Sequence, residues 1–448
     1  MSAALQRLGR SVAALKSDGA TDALLQLHVT DSLGAWIAST GTPEGLRLLR
    51  FRAAQHQQVL ALDLATRCAL ARLSEIDDIH LASMTTPGAI IVPGALTLAV
   101  ALPGVAKQDV SAAMLAGYEV MLRLGRAIDG PNALYRGIWP TYFTAPLGIA
   151  ATAARLLGLS AGETTNALSL ALSLAAPGVG HHNAATTSRW LAVGHAASSG
   201  LSAALAAQAG FTADHTLLDG NFTQSVYGLS VDGSALDADP VWPTSVSEVS
   251  FKPWCAARQT MAATQALREI MDAGVAAQAI EQIQAWVLPP HRRMIDHGVV
   301  AGDRASHLTS VQYNMTLAAT DKDAMLAVGP SSPPAPAVLA LMDKITVQPE
   351  DSLLTSYPRV WPARVRVLAG GQWHEREVSH IPGDPQRPFN GSAVEEKFLR
   401  VVTPVLGTDR ARRVLGRCGN VLTSGEFASL VSEIEQGCES AGAARGLD

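Results

Sequence analysis

Two neighbouring stretches, 143–157 (FTAPLGIAATAARLL) and 164–177 (TTNALSLALSLAAP), carry Arg155 as their only charged residue. An alanine-rich segment without a polar stripe is a helix that is apolar on every side, and it is stable only when other elements cover it all round. The chain is thereby committed to a packed bundle of helices with close axes. The surrounding text agrees. Thr21 to Ser39, Gln55 to Leu73, Ser111 to Ala127 and Ser188 to Ala209 repeat apolar residues at three- and four-residue spacings. Gly41 and Gly210 stop two of these helices, and Gln108-Asp109 is placed to cap a third. Residues 1 to about 245 therefore read as helical almost throughout.

A chain of 448 residues exceeds what one core holds, so two domains are expected. Around 232–247 the composition shifts to Asp, Pro and Ser, which reads as a linker. Beyond it, Ile283 to Leu288, Ile345 to Gln348, Ala363 to Leu368 and Trp373 to Val378 read as strands, the last two joined by the turn signal Gly370-Gly371. Gln259 to Ala273 and Asn314 to Ala327 read as helices among them. Residues 392–407 and 423–440 return to helix and are expected to pack back on the first domain. The fold class is mainly α: a large all-helical domain from 1–248 and 386–448, with a smaller α+β domain over 249–385.

A formal charge of −5 supplies no basic stripe, which argues against nucleic acid as a partner. The longest apolar runs are interrupted by Thr, Ser, Asn, Gly and Arg, so no membrane span is expected. The N-terminal MSAALQRLGRSVAALKSDG reads as an amphipathic helix and not a signal peptide. Cys68, Cys255, Cys418 and Cys438 form no CxxC pair, which fits a reducing cytoplasm and chemistry without a metal or cluster cofactor. Alanine-rich helical surfaces favour self-association, and a homodimer is expected.

The densest chemistry lies in Ser74 to Ala99, SEIDDIHLASMTTPGAIIVPGALTLA. Glu75, Asp77, Asp78 and His80 precede a Pro-Gly break and then an apolar run, a placement that suits acid–base groups on the lip of a cleft. A solvated acidic turn is the alternative. A carboxylate beside His80 would orient the ring and raise its basicity. Lys252, flanked by Phe251 and Trp254, is a candidate for a lowered pKa or for holding a carboxylate, and Arg258 for forking onto a second one. His181-His182 follows a Gly-rich turn; adjacent histidines rarely point the same way, so no metal pair is expected there. Arg136, Trp139 and Tyr142 cluster ahead of the buried helix. HRRMIDH, at 291–297, reads as a solvated charged loop.

These residues also resemble a known family. SEIDDIHLASMTTPGAIIVPGALTLA is similar to the "DFDDTH…HPG…VPAALALA" stretch of the 2-methylcitrate dehydratase / cis-aconitate decarboxylase (MmgE/PrpD) family. Gly117-Tyr118-Glu119-Val120, Trp139-Pro140-Thr141, SRWLAVGHAASSGLSAALAAQAGFT, FKPWCAARQTMAA and VEEKFLRVVTPVL resemble further family motifs in the same order. The resemblance implies a large helical domain with a smaller α+β lid, an active site between them and a homodimer. It also implies cofactor-free dehydration, decarboxylation or epimerisation of small polycarboxylates.

The departures bear on the reaction. Where the family has Asp, Glu75 stands. Its two motif histidines are Thr86 and Trp139, its lysine is Arg189, and a third histidine is Met261. Asp77, Asp78, His80, Lys252 and Arg258 are kept. Threonine does not donate a proton near neutral pH as imidazole does, and arginine holds a carboxylate but is no base. The larger apolar Trp139 points to a substrate with an apolar portion. The expectation is a lyase in which Arg189, Arg258, Arg136, Trp139, Tyr142 and Thr86 contact a small di- or tricarboxylate. Lys252, His80 or His182 would move the proton, with Asp78 positioning the imidazole. An epimerase or isomerase, or a catalytically silent ligand-binding paralogue, stays open beside it.

Overall fold

The structure, a computed structural model, describes residues 3–55, 59–178, 186–236, 242–329 and 333–444. They fall into two compact units, one built from the chain up to residue 249 and from 390 onward, the other from 250–389.

The first unit holds α1 (Ala4–Ala14), α2 (Gly19–Ser39), α3 (Pro43–Ala53), α4 (Leu60–Leu73), α5 (Gly88–Ala101), α6 (Lys107–Ala127), α7 (Gly130–Leu134), α8 (Pro140–Leu156), α9 (Ala161–Ser173), α10 (Ser188–Gln208) and α11 (Phe222–Tyr227). The alanine-rich α8 is buried from Pro140 through Ala154, among α5, α6, α9 and α10. Small residues permit the close axes: a Cβ on Gly200 of α10 would lie 2.2 Å from the Pro146 carbonyl oxygen. Helix α8 starts earlier than its periodicity indicates, because Pro140 at the first position needs no N–H partner and presets the helical φ. The end of α9 is exposed at Ser173 and Leu174, so only one face of that helix is inside. Helix α5 is apolar on every side and buried from Gly88 to Leu98.

Helix α6 begins at Lys107 with no side-chain cap, so Gln108-Asp109 does not cap it; Asp109 sits in the first turn, where the helix dipole favours an acid. Residues Trp242–Glu248 form a 3₁₀ helix packed on α6, with Ser245 and Val246 buried. This end of the Asp-Pro-Ser stretch is thus bound structure and not a free linker. On the facing side of α6, buried Glu119 accepts a hydrogen bond from Arg123 at 3.1 Å. Burial raises its carboxyl to about 7 even though Arg123 opposes the shift. The folded chain therefore keeps a proton that the unfolded chain, at an ordinary carboxylate pKa, releases; stability falls as pH rises from about 4.5 to 7. Glu119→Gln removes that dependence. Urea denaturation should show the variant gaining on the wild type between pH 5 and pH 8, by about 2–3 kcal/mol at most.

The C-terminal helices α17 (Gly391–Leu406), α18 (Thr408–Cys418), α19 (Val421–Ser424) and α20 (Phe427–Ala444) belong to the same unit, and α17 lies along α2. Phe398 fits against Gly34, where an added Cβ would come within 3.0 Å of its ring. The neighbouring Lys397 pairs with Asp31 at 2.5 Å and donates to the Ile76 carbonyl at 2.7 Å.

The second unit packs α12 (Arg258–Asp272), α13 (Pro289–Ile295), α14 (Arg304–Thr309), α15 (Val311–Thr320) and α16 (Pro336–Met342) around a four-stranded sheet. Its strands β1 (Ile280–Val287), β2 (Ile345–Pro349), β3 (Ala363–Ala369) and β4 (Gln372–Val378) run in the order β2-β1-β3-β4. Strand β1 is parallel to β2 and antiparallel to β3. Gly370 and Gly371, both at positive φ, close the β3–β4 hairpin as the sequence indicated. Alternate residues of β3 are buried beneath α12. The helix expected over Asn314 to Ala327 ends at Thr320, and 324–326 form a separate 3₁₀ turn. Among the described residues no helix is long and apolar enough to cross a membrane.

Candidate active site

The loop between α4 and α5 carries the acidic cluster, and it is buried, which removes the solvated-turn alternative. Asp77 and Asp78 have no exposed surface and His80 has 2%. Its start is shaped by Ser74, which donates to the Ala71 carbonyl at 2.8 Å and accepts from the Ile76 N–H at 3.2 Å. Glu75 then takes a left-handed conformation (φ 59°), which side chains with a Cβ enter at a cost. That turn brings Glu75 Oε1 to 2.9 Å from Arg72 Nη1, while Asp77 Oδ1 lies 3.4 Å from the same nitrogen. Burial alone would lower the Arg72 pKa; the carboxylates of Asp77 and Glu75 more than reverse it.

Asp78 and His80 are not partners of one another. Asp78 faces inward and accepts from His28 Nδ1 at 2.9 Å, the Tyr118 hydroxyl at 2.9 Å and the Gly88 N–H at 2.8 Å. The last bond caps α5, and Gly88 is required there because a Cβ would sit 2.5 Å from Asp78 Oδ2. The imidazole that Asp78 positions is therefore that of His28. Burial, together with the Asp78 charge, holds the Tyr118 phenol protonated as a donor. His80 is held by its own loop. Its Nδ1 accepts the Ser83 N–H at 3.2 Å, with Ser83 Oγ at 2.8 Å, so the ring proton is on Nε2, 3.2 Å from Glu248. Burial lowers its pKa, with the Glu248 hydrogen bond opposing, and the ring is neutral with both nitrogens engaged.

The ion cluster of Arg72, Glu75 and Asp77 adjoins the start of α8. The charges of Arg72, Arg189, Glu75 and Asp77 all act on the Tyr142 hydroxyl. Tyr142 is fully buried, and its ring lies 5.3 Å from that of Trp139. The buried Arg189 guanidinium sits 5.2 Å from the Trp139 ring centre and 5.8 Å from that of Trp190, over which Arg72 also lies at 6.0 Å. Thr86 is tied to the same helix end: its N–H donates to Thr141 Oγ1 at 3.0 Å, and the two hydroxyls are 3.1 Å apart. Among the described residues, the Tyr142 hydroxyl, Trp139 Nε1 and Arg72 Nε have no hydrogen-bond acceptor.

Of the residues indicated by sequence, Thr86, Trp139, Tyr142 and Arg189 come together here. Arg136 does not; it is exposed, its guanidinium over Gly228. Lys252 and Arg258 belong to the second unit and are buried. Arg258 Nη2 meets both oxygens of Asp384, at 2.9 and 2.8 Å, so its fork is already on a protein carboxylate. The first five residues of HRRMIDH are not a loop but the end of α13; Arg292 and Arg293 are exposed, while His291 is buried against Trp361 with its pKa lowered to about 3 by burial and by Arg258. His181 and His182 lie outside the described residues. Arg72, Trp190, His28 and Lys397 were missed. For Arg72 a signal existed, since three acids at 75, 77 and 78 need a nearby countercharge.

A cavity of about 790 Å³ opens between α3, α4 and α10, lined by Phe51, Val59, Leu62, Trp190, Leu191 and His195. It shares only Trp190 with the ion cluster and holds none of its charges, so the chemistry places the candidate site at the cluster. Among the described residues no three His, Cys, Asp or Glu side chains group as metal ligands.

Residues 6–238 match the MmgE/PrpD N-terminal domain and residues 254–418 the MmgE/PrpD C-terminal domain. The chain is similar to the cis-aconitate decarboxylase of Homo sapiens, 27% identical over 350 residues that cover 74% of this chain and 70% of that protein. It is also similar to the cis-aconitate decarboxylase of Mus musculus, 30% identical over 174 residues, or 38% of this chain and 35% of that protein. With both domains matched in order over most of its length, the chain belongs to the MmgE/PrpD family.

Proposed function

We propose that this chain is a cofactor-independent lyase that acts on a small di- or tricarboxylic acid by proton transfer at the carbon next to a carboxylate. The observation that carries the reading is the buried cluster of two guanidiniums, two carboxylates and a phenol around Arg72 and Tyr142. Arg189 holds the reacting carboxylate and, with Arg72, stabilises the enediolate-like charge that develops on it. Glu75 and Asp77 are the carboxylates placed to take a proton from carbon. The four formal charges cancel before substrate arrives, and Trp139 and Trp190 flank Arg189 with apolar surface. Both features support a substrate with an uncharged, apolar portion beside the carboxylate that Arg189 reads. Lys252 stays in the reading as a further carboxylate-binding or proton-moving group from the second unit. The family and the two decarboxylase relatives support the lyase class.

The replacement of two motif histidines by Thr86 and Trp139 favours one second reading, an epimerase, which returns a proton to carbon and needs no leaving group. Carbon-13 NMR of labelled cis-aconitate, citrate and malate in heavy water with the purified chain, before and after exhaustive chelation, separates the cases. The epimerase reading expects deuterium at the malate carbon that bears the hydroxyl, with no other product. The lyase reading expects bicarbonate or a new olefinic signal that survives chelation. Activity lost to chelation and restored by a metal overturns the cofactor-free part, and line broadening without any product points to a silent binder.

A further inference from the structure

We infer that Tyr142 is the residue that hands a proton to the substrate in this site. The inference rests on the lyase reading above and adds to it the group that stands in for the lost imidazoles. Three buried donors, the Tyr142 hydroxyl, Trp139 Nε1 and Arg72 Nε, have no acceptor among the described residues. Buried donors are nearly always matched, so a cluster of donors without acceptors calls for a ligand that brings oxygen atoms, such as a carboxylate. Of the three, the indole and the guanidinium hold their protons throughout the ordinary pH range, and only the phenol can release one. The alternatives nearby are engaged or unsuited: His80 has both nitrogens on protein groups, and Thr86 is an alcohol bonded to Thr141.

The surroundings suit donation in two ways. Burial keeps the Tyr142 phenol protonated, so the donor is loaded across the physiological range. Arg72 and Arg189 act in the opposite sense, favouring the phenolate once the proton has gone, while the charges of Glu75 and Asp77 disfavour it. In decarboxylation, the bond from the reacting carbon to its carboxylate breaks, carbon dioxide departs without the bonding pair, and that pair takes the Tyr142 proton onto carbon. The phenolate left behind regains a proton from water. In elimination, the Tyr142 proton leaves with the hydroxyl as water, while a carboxylate takes the C–H proton.

The test uses the full chain with cis-aconitate, citrate and malate. For whichever probe the wild type converts, Tyr142→Phe should lower kcat by about 10²–10⁴-fold with KM within about threefold, since binding by Arg189 is untouched. 3-Fluorotyrosine at position 142, whose phenol is more acidic, should retain turnover and change the solvent deuterium isotope effect on kcat, a shift that a purely structural tyrosine would not produce. A Tyr142→Phe chain with more than a third of wild-type kcat overturns the inference and leaves the lyase reading standing. An unchanged isotope effect overturns it also if the phenylalanine variant fails to fold. A wild type that converts none of the probes overturns the lyase reading itself, and this inference with it.

Discussion

Arg189→Leu should lower kcat/KM for a carboxylate substrate by about 10²–10³-fold, the loss set by truncating one side of a desolvated, charge-assisted pair. Arg189 is the cation that reaches both aromatic walls of the site, and it stands where the family has lysine. Leucine fills much of the space, so the fold should survive with the loss of a cation–π contact, about 1–2 kcal/mol when desolvated. Arg189→Lys keeps the charge but not the planar fork or the stacking on Trp139 and Trp190, and a smaller loss of about tenfold is expected. Steady-state kinetics on the three proteins, with thermal denaturation as the folding control, checks the order wild type, Lys, Leu. Equal kcat/KM in all three would remove Arg189 from the site.

Asp78→Ala should act on stability and not first on turnover. Three buried donors, on His28, Tyr118 and Gly88, meet that one carboxylate, which has no exposed surface of its own. Removing it strands all three and uncaps α5, and losing one partner of a buried charged network costs about 3–5 kcal/mol. That is a large part of the 5–15 kcal/mol typical of a whole domain. Asp78→Asn keeps one acceptor oxygen and should cost less, about 1–3 kcal/mol. Denaturant titration of both variants measures this. A well-folded Asp78→Ala with wild-type stability and no turnover would return Asp78 to the catalytic role the sequence suggested.

The contrast between Asp78 and His80 shows where sequence reading ran out. They are two residues apart, and adjacency invited a carboxylate–imidazole pair. In the fold, Asp78 turns inward to α2, α5 and α6, while His80 is gripped by Ser83 and Glu248, and neither direction is encoded locally. His28, Arg72 and Lys397 escaped notice for the same reason: each is an ordinary polar residue on a helix until a distant segment supplies its partner. Lys397 meets the Ile76 carbonyl across 321 positions of sequence. What is written locally was legible. Charge-poor alanine-rich text gave the buried helix α8 but overstated the burial of α9. The apolar run after Pro87-Gly88 is buried as α5, alternation gave the strands, and paired glycines gave the β3–β4 turn. The motif at 74–99 carries Glu75 and Asp77 of the proposed site, and Arg72 before it and Tyr142 and Arg189 after it supply the rest.

The most direct test of the central claim, that the Arg72–Tyr142–Arg189 cluster performs chemistry at carbon beside a carboxylate, is proton NMR in heavy water. Small di- and tricarboxylates are incubated with the wild type and with Arg189→Leu. The account predicts deuterium at the carbon next to a carboxylate in at least one compound with the wild type, and little or none with the variant. Equal exchange by both proteins, or none by the wild type across the panel, would contradict it.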